Sequence, residues 1–325
     1  MADTGNLIID DVNSTFARPP YGMTYFGKPT GRCSDGLIMI DYFALALGLP
    51  FLNPYLKKGA NFTAGVNFAV TGATALNTSF LIKEKIPLSF TNNSLSVQLE
   101  WFRTHLQTIC FTQTECKQKL KNALFFVGEI GVNDYFAFSR GGKTMKEIQN
   151  LVPLVVQMTK NAVREVIELG ATRLIVPGCF PLGCTPVFLT LFKSNDSTSY
   201  DTDKCLKDYN KFIRIHNMLL QQELQELKKE YTDVDIVYAD YNAAYTWVLT
   251  HGSSLGFEVG SILKACCGVG GDYNFDLAKM CGIEGVPACS DPKKRMIWDG
   301  FHLTMKGNEL MADWILNNTI SKIQC

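Results

Sequence analysis

The residues best suited to chemistry in this sequence are an aspartate and a histidine three positions apart, Asp299 and His302. That spacing can place the carboxylate beside the imidazole ring. A carboxylate so placed fixes the tautomer of the ring and stabilises the imidazolium that forms when the ring takes a proton from a hydroxyl nucleophile. An isolated Asp and His at this spacing also arise by chance at a helix start. Taken alone, the pair is better explained by chance. The chemical hypothesis is the acid–base half of a serine-type ester-hydrolase site.

Other polar residues have simpler interpretations. His105 and His216 lie in helical patterns with polar neighbours, which indicates solvated or capping roles, and His251 lies in a segment typical of a loop. Asn133 follows a glycine in a composition typical of a turn, although its amide could donate to a developing oxyanion. Gly72 ends a strand-like stretch and could present its backbone N–H to a ligand, but a tight turn is the simpler interpretation.

The elements that must position these residues are strands and helices in alternation. Continuous apolar runs typical of buried parallel strands occupy residues 124–127, 173–176 and 234–238. Helical patterns occupy residues 151–169 (ended by Gly170), residues 200–231 and a last stretch that follows Thr304 as its N-cap. This alternation predicts one α/β domain over residues 1–325 with a parallel sheet. In such sheets, binding sites gather at the carboxyl ends of the strands.

The composition is that of an ordinary globular chain, with 325 residues of which 46% are hydrophobic and 19% charged. Its 31 basic and 31 acidic residues balance, which argues against nucleic acid or an anionic membrane as a partner. No run of 18 apolar residues occurs, so no membrane span is expected. No glycine motif for nucleotide binding is complete, and we expect neither a cofactor nor a metal.

Cysteine usage points to an oxidising compartment. The 11 cysteines favour disulfides over zinc, because no C-x-x-C pair exists and histidines near the cysteines are lacking. Disulfides imply secretion, and the odd count leaves at least one thiol unpaired within the chain. Sequons for N-glycosylation agree with this compartment, at Asn13, Asn61, Asn77, Asn92, Asn195 and Asn317. The first residues are polar and contain no signal peptide, so the N-terminus and the composition disagree.

Five segments, taken in order, resemble the sequence blocks of the plant GDSL lipase/esterase family, of the SGNH hydrolase superfamily. They are Met1-Ala2-Asp3-Thr4-Gly5-Asn6, Gly31-Arg32-Cys33-Ser34-Asp35-Gly36, residues 65–74, Gly131-Val132-Asn133-Asp134 and Asp299-Gly300-Phe301-His302-Leu303-Thr304. The resemblance covers essentially the whole chain and is greatest to members that act on acetylated alkaloids. Five modest motifs in the correct order and spacing outweigh the chance interpretation of each one.

The resemblance implies roles for four of these residues. His302 would be the general base, Asp299 its orienting partner, and Gly72 and Asn133 the oxyanion donors. We choose Gly72 over Gly65 because the oxyanion glycine of the family follows an N-x-x-x-x-G pattern. The fold implied is a single three-layer α/β/α sandwich with a parallel sheet, flavodoxin-like, whose first strand is absent from this chain.

One component of the implied site is missing from the sequence. The nucleophilic serine of the family lies directly before the residue that matches Met1. No other serine has an equivalent context, and Ser34 belongs to a different block. We therefore expect the domain to be N-terminally incomplete and to contain no nucleophile.

The function implied is that of a carboxylic-ester hydrolase acting on small acylated plant metabolites, such as acetylated alkaloids, by a Ser-His-Asp mechanism. Two alternatives stay open: an acyltransferase that uses the same site, and a relative that binds an ester without catalysis. The family, the cysteines and the sequons together predict a disulfide-bonded glycoprotein of the secretory pathway, extracellular or vacuolar. We expect a monomer whose partner is a small-molecule ester.

Overall fold

The computed structural model describes residues 2–87 and 90–319. Strands and helices alternate in this part of the chain, which confirms the α/β class. The strands are β1 (Asn53–Pro54), β2 (Val66–Asn67), β3 (Leu124–Phe126), β4 (Arg173–Pro177) and β5 (Asp235–Ala239). The α-helices are α1 (Asn6–Asp10), α2 (Met39–Ala46), α3 (Thr78–Lys83), α4 (Leu95–Ile109), α5 (Gln113–Leu120), α6 (Val132–Arg140), α7 (Met145–Asn150), α8 (Val152–Leu169), α9 (Pro186–Leu191), α10 (Lys207–Glu230), α11 (Tyr241–Thr250) and α12 (Met305–Asn318).

The three apolar runs of the sequence form one parallel sheet. Its strand order is β3-β4-β5, and β1 and β2 form a separate parallel pair. In the central strand β4, Leu174, Ile175 and Val176 are fully buried, as continuous apolar runs require when both faces of a strand are covered. The strand predictions are confirmed, with small shifts at the strand ends.

Two helix predictions are confirmed and one has the wrong start. Helix α8 ends at Leu169, directly before Gly170, and the hydroxyl of Thr304 accepts the N–H of Gly307 at 3.0 Å to cap α12. Helix α10 begins at Lys207 rather than at Tyr200. The segment before α10 is not helical from Tyr200 onward, because Tyr200 forms an antiparallel β-bridge with Leu206. A disulfide of the same segment joins Cys184 to Cys205.

The described residues form two compact units. The first contains residues 2–71, 181–210 and 243–316, and the second contains residues 72–87, 90–180, 211–242 and 317–319. The first unit includes β1 and β2, and the second includes the sheet β3-β4-β5. The single domain expected over residues 1–325 stays a prediction.

Four disulfides confirm the interpretation of the cysteines. They join Cys110 to Cys116, Cys184 to Cys205, Cys266 to Cys289 and Cys267 to Cys281. Cys33 and Cys179 are free and buried, and Cys325 lies outside the described residues. Within the described ranges, no helix has the length and apolar character that crossing a membrane requires.

Candidate active site

The first unit brings the predicted acid–base pair together. His302 Nδ1 lies 2.9 Å from Asp299 Oδ2 and 3.0 Å from Asp299 Oδ1. The side chain of Asp299 is 1% exposed and that of His302 is 14% exposed. Because the carboxylate engages Nδ1, the ring nitrogen left to exchange a proton with a substrate is Nε2.

The local sequence explains why the chain closes here. Asp299 Oδ1 also accepts the backbone N–H groups of Phe301 at 3.0 Å and His302 at 2.9 Å, an aspartate turn closed by its own side chain. Gly300 between them has φ +96°, and a Cβ there would lie 2.2 Å from a ring carbon of Phe275. Only glycine fits this turn, so the Asp-Gly-Phe-His sequence itself sets the distance between the two side chains.

Asp299 is charged at neutral pH in spite of its burial. Burial raises the pKa of a carboxyl group, but the His302 ring, the Tyr21 hydroxyl and the Phe301 N–H act in the opposite direction. Their combined effect holds the pKa of Asp299 below its ordinary value. A charged carboxylate is the form that orients an imidazole and stabilises the imidazolium.

Two aromatic residues beside the pair were not found from the sequence. The Tyr21 hydroxyl donates to Asp299 Oδ2 at 2.6 Å, across 278 positions of sequence. The ring of Phe16 meets the His302 ring edge-on, with 5.8 Å between centroids, and packs against Tyr21 as well. No spacing rule connects positions so far apart, so a single sequence holds no signal for these contacts.

The N-terminal segment also lies beside His302. Asp3, Cys33, Thr71 and His302 are among the residues that line a cavity of about 10 Å³, roughly the space of one water molecule. The carboxylate of Asp3 accepts four backbone N–H groups at 2.7–3.1 Å, from Gly5, Asn6, Leu7 and Thr71. The chain near its N-terminus is thereby fixed beside the imidazole.

The segment 31–36, matched in sequence but given no role, holds the helix that follows His302. Asp35 Oδ1 accepts the N–H of Met305, the first residue of α12, at 2.6 Å, and Asp35 Oδ2 accepts the Thr24 hydroxyl at 2.5 Å. Arg32 forms a buried two-pronged ion pair with Asp41, with N–O distances of 2.8 and 2.7 Å. Through Asp35, these contacts connect segment 31–36 to the start of α12, the helix that follows His302.

The second unit contains the two predicted oxyanion donors. Gly72 has φ +82°, and a Cβ there would lie 2.6 Å from the Cβ of Phe90, so the position requires glycine. Asn133 lies in the first turn of α6, and its Nδ2 donates to the carbonyl oxygen of Ala73 at 2.8 Å. Because an amide nitrogen carries two N–H groups, this bond does not exhaust its donors.

Asp134, next to Asn133, holds the same loop from a buried position. Its two carboxylate oxygens accept the N–H groups of Ala75 at 2.8 Å and Leu76 at 2.9 Å. Burial raises the pKa of Asp134 to about 7, although these hydrogen bonds oppose the effect. The loop 72–76 is thus connected to the start of α6 by both side chains.

The raised pKa of Asp134 predicts a pH-dependent stability. The ordinary pKa is 3.8 and the folded value about 7, so the native state holds a proton that the unfolded chain releases between these values. This stabilising contribution is complete below about pH 4 and is lost as the pH rises through about 7. We therefore expect the unfolding free energy of wild type, measured with urea, to rise by ~2 kcal/mol relative to that of Asp134→Asn when the pH is lowered from 7.5 to 5.

The matched control for this measurement is Asp235→Asn, because Asp235 is an exposed carboxylate of the same unit. Its unfolding free energy should differ from that of wild type by the same amount at both pH values. A wild-type advantage over Asp134→Asn that does not change with pH would contradict the prediction.

The sequence-based role of His216 is wrong. His216 is 1% exposed, its Nδ1 lies 2.7 Å from the Tyr135 hydroxyl oxygen, and burial lowers its pKa to about 4, so the ring is neutral. His105 is also buried, at 9% exposed. The signal was present in the helix period, since Phe212, His216 and Leu220 lie four residues apart on one buried face of α10.

Parallel strands with intervening helices and a buried aspartate–histidine pair are features of serine-type ester hydrolases. The chain belongs to the GDSL lipase/acylhydrolase family, because the family described as GDSL-like Lipase/Acylhydrolase matches residues 3–315. This confirms the family predicted from the sequence. By family the protein is an enzyme that hydrolyses ester bonds.

Similar curated proteins are named as esterases. The chain is 45% identical over 328 residues to acetylajmalan esterase 1 of Rauvolfia serpentina, covering 100% of this chain and 85% of that protein. It is 43% identical over 329 residues to acetylajmalan esterase 2 of the same plant, covering 100% and 89%. It is 44% identical over 322 residues to a GDSL esterase/lipase of Arabidopsis thaliana, covering 98% and 81%.

Proposed function

We propose that this protein hydrolyses small acylated plant metabolites, acetylated alkaloids among them, by a Ser-His-Asp mechanism. His302 is the general base and Asp299 orients it. The serine comes from the residue that directly precedes Met1 in the family's first sequence block. The observation that carries the proposal is the buried Asp299–His302 pair, whose imidazole lines the same cavity as Asp3.

The position of Asp3 supports a nucleophile from the N-terminal side. A residue directly before Met1 lies three positions before Asp3, or at most ~11 Å away along an extended chain. Asp3 itself is held beside the cavity by its bond from the Thr71 N–H. In the described ranges, the hydrogen bonds of the His302 ring go to Asp299 alone, so no serine of those ranges is hydrogen-bonded to the imidazole.

The reaction follows from these roles. His302 Nε2 takes the serine proton while the serine oxygen attacks the ester carbonyl carbon, and the carbonyl oxygen becomes an oxyanion. The N–H of Gly72 and the amide of Asn133 donate to that oxyanion. When the carbon–oxygen bond breaks, His302 gives its proton to the leaving alcohol. Water then attacks the acyl-serine with His302 again as base, and the carboxylic acid is released.

The names of the similar proteins support the substrate class. Two of the relatives above are acetylajmalan esterases, so an acetylated alkaloid is the first substrate to test. Free acid is measured from the ester with and without an added alcohol. Release of acid in equal amounts supports hydrolysis, whereas a new ester formed at the expense of acid would favour the acyltransferase.

A fluorophosphonate probe should phosphonylate the serine that precedes Met1, and only when His302 is present. The probe reacts with a serine whose proton is removed by a neighbouring base, so the adduct marks the nucleophile. The protein is expressed from its full-length transcript, labelled, digested and mapped by mass spectrometry. The His302→Ala variant is the control and should stay unlabelled.

Each other outcome of the labelling is informative. An adduct on Ser34 or another serine of residues 2–325 would reject the upstream nucleophile but keep an esterase. An active wild-type protein without any adduct would reject serine catalysis. A protein that neither reacts nor hydrolyses would favour the relative that only binds an ester.

The proposal also places the protein in the secretory pathway, extracellular or vacuolar, as a monomeric glycoprotein. The four disulfides support an oxidising compartment. The asparagines of all six sequons are exposed: Asn13, Asn61, Asn77, Asn92, Asn195 and Asn317. Folding therefore leaves each of them accessible for a glycan.

A further inference from the structure

We infer that Tyr21 is a positioning residue, whose hydroxyl holds the Asp299 carboxylate in the orientation that His302 needs. The inference rests on the proposed function, because it assigns a partner to the same acid–base pair. Tyr21 lies outside the five sequence blocks that carry the family resemblance, and those blocks assign it no role. The role assigned to Tyr21 follows from the hydrogen bonds around the Asp299 carboxylate.

The hydrogen bonds of Asp299 show how its orientation is fixed. Oδ1 accepts the backbone N–H groups of Phe301 and His302, and both oxygens lie within 3.0 Å of His302 Nδ1. The Tyr21 hydroxyl, at 2.6 Å from Oδ2, is the shortest of these contacts. Unlike the contacts from Phe301 and His302, the Tyr21 bond comes from outside the turn 299–302. It therefore restricts rotation of the carboxylate about the Cβ–Cγ bond of Asp299.

Burial makes the contribution of Tyr21 hard to replace. Asp299 and Tyr21 are each 1% exposed. The aromatic rings of Phe16 and Trp298 pack edge-on against Tyr21. Phe16 has no polar atom, and the indole Nε1–H of Trp298 donates to no described group. Without the hydroxyl, Oδ2 would keep only His302 Nδ1 as a partner, and the loss of one donor to a buried carboxylate is costly.

The hydroxyl remains a donor throughout the working pH range. Burial and the charge of Asp299 raise the pKa of Tyr21 well above its ordinary value. The proton therefore stays on the phenol oxygen, and the bond from Tyr21 to Asp299 keeps its direction. A proton donor that does not titrate can fix the carboxylate without competing for the proton that His302 carries.

The segment 31–36 positions Tyr21 and His302 together. Next to Tyr21, the N–H of Gly22 donates to the Ser34 carbonyl at 2.9 Å, and the N–H of Thr24 donates to the Asp35 carbonyl at 2.7 Å. The side chain of Asp35 accepts the N–H of Met305 at the start of α12. Tyr21 and the imidazole are thus held against one common framework.

The test compares Tyr21→Phe with the matched control Tyr42→Phe in the intact protein. Tyr42 is a half-buried tyrosine of the same unit, and its hydroxyl donates at 3.3 Å to the Met305 carbonyl rather than to Asp299. We expect Tyr21→Phe to lower kcat by roughly 10- to 100-fold, the effect of one hydrogen bond to a charged group, with KM changed less than about twofold. Tyr42→Phe should leave both constants unchanged.

A double-mutant cycle separates positioning from general damage to the fold. If Tyr21 acts through the carboxylate, Tyr21→Phe should cost no further activity in an Asp299→Asn background. All variants are measured at a temperature at which circular dichroism shows each of them folded. An unchanged kcat in Tyr21→Phe, or full additivity with Asp299→Asn, would overturn the inference and leave the esterase in place. Activity that does not depend on His302 would overturn the proposed function instead.

Discussion

Replacement of His302 by alanine should lower kcat by roughly 10³- to 10⁶-fold, the range seen when the base of a serine-hydrolase triad is removed. The imidazole is expected to take the serine proton and to return it to the leaving alcohol, so its loss affects both halves of the reaction. No other described side chain forms a hydrogen bond with Asp299 that could supply a second base, since Tyr21 only donates to it.

The variant should remain folded, which makes its activity interpretable. After removal of the ring, Asp299 keeps the Tyr21 hydroxyl and the backbone N–H groups of residues 301 and 302 as donors. The His302 side chain is 14% exposed, so solvent can fill the space that the ring leaves. Urea unfolding is expected to show a loss of about 2 kcal/mol, typical of one hydrogen bond to a charged group.

The matched control for the imidazole is His251→Ala. His251 is exposed and its ring stacks on Trp247. Among the described residues, its ring hydrogen bonds stay at the end of α11, to Thr250 and to the Trp247 carbonyl. This substitution should leave kcat and KM of ester hydrolysis unchanged. Retention of more than about one tenth of wild-type kcat by His302→Ala would remove His302 from the mechanism, since a general base alone contributes about 10²- to 10⁴-fold.

The parts of the site that could be predicted from the sequence are those fixed over a few residues. Asp299 and His302 lie three positions apart, and the turn between them is built by its own residues and a required glycine at position 300. The strands β3, β4 and β5 could be predicted because burial on both faces produces continuous apolar runs. In each case the structural cause lies inside the segment that shows the pattern.

The parts that could not be predicted depend on contacts between distant positions. Tyr21 meets Asp299 across 278 positions, and Asp3 accepts the Thr71 N–H across 68 positions. Such contacts are set by how the chain packs, and no local pattern of one sequence records them. His216 illustrates the reverse error, because the polar Arg214 and Asn217 beside it suggest a solvated position, whereas Phe212 and Leu220, four positions away on either side, are buried with it.

Disulfide connectivity shows the same limit. The four cysteines of the glycine-rich segment, Cys266, Cys267, Cys281 and Cys289, allow three connectivities. In the structure, Cys266 pairs with Cys289 and Cys267 pairs with Cys281. The backbone N–H of Cys289 donates to the Cys266 carbonyl at 2.7 Å, which holds the first pair together. Sequence predicts that such cysteines pair, while the backbone hydrogen bonds decide with which partner.

Replacement of Asn133 by alanine should lower kcat by roughly 10²- to 10³-fold with little change in KM. The amide is expected to donate to an oxygen that gains its full charge only in the transition state, so the loss falls on the chemical step rather than on substrate binding. Initial rates over a range of ester concentrations separate the two constants. Asn133→Asp should be at least as inactive, because it replaces the donor with an acceptor of the same size.

Asn133 also bonds the Ala73 carbonyl at 2.8 Å, so a displaced loop could imitate the loss of an oxyanion donor. A trifluoromethyl ketone, which forms a tetrahedral oxyanion on the serine, distinguishes the two. If Asn133 donates to the oxyanion, Asn133→Ala should weaken the ketone by the same factor as kcat/KM while the corresponding methyl ester binds as before. If the loop has moved, ester and ketone should weaken together, and Asn133 would then be a structural residue of the loop 72–76.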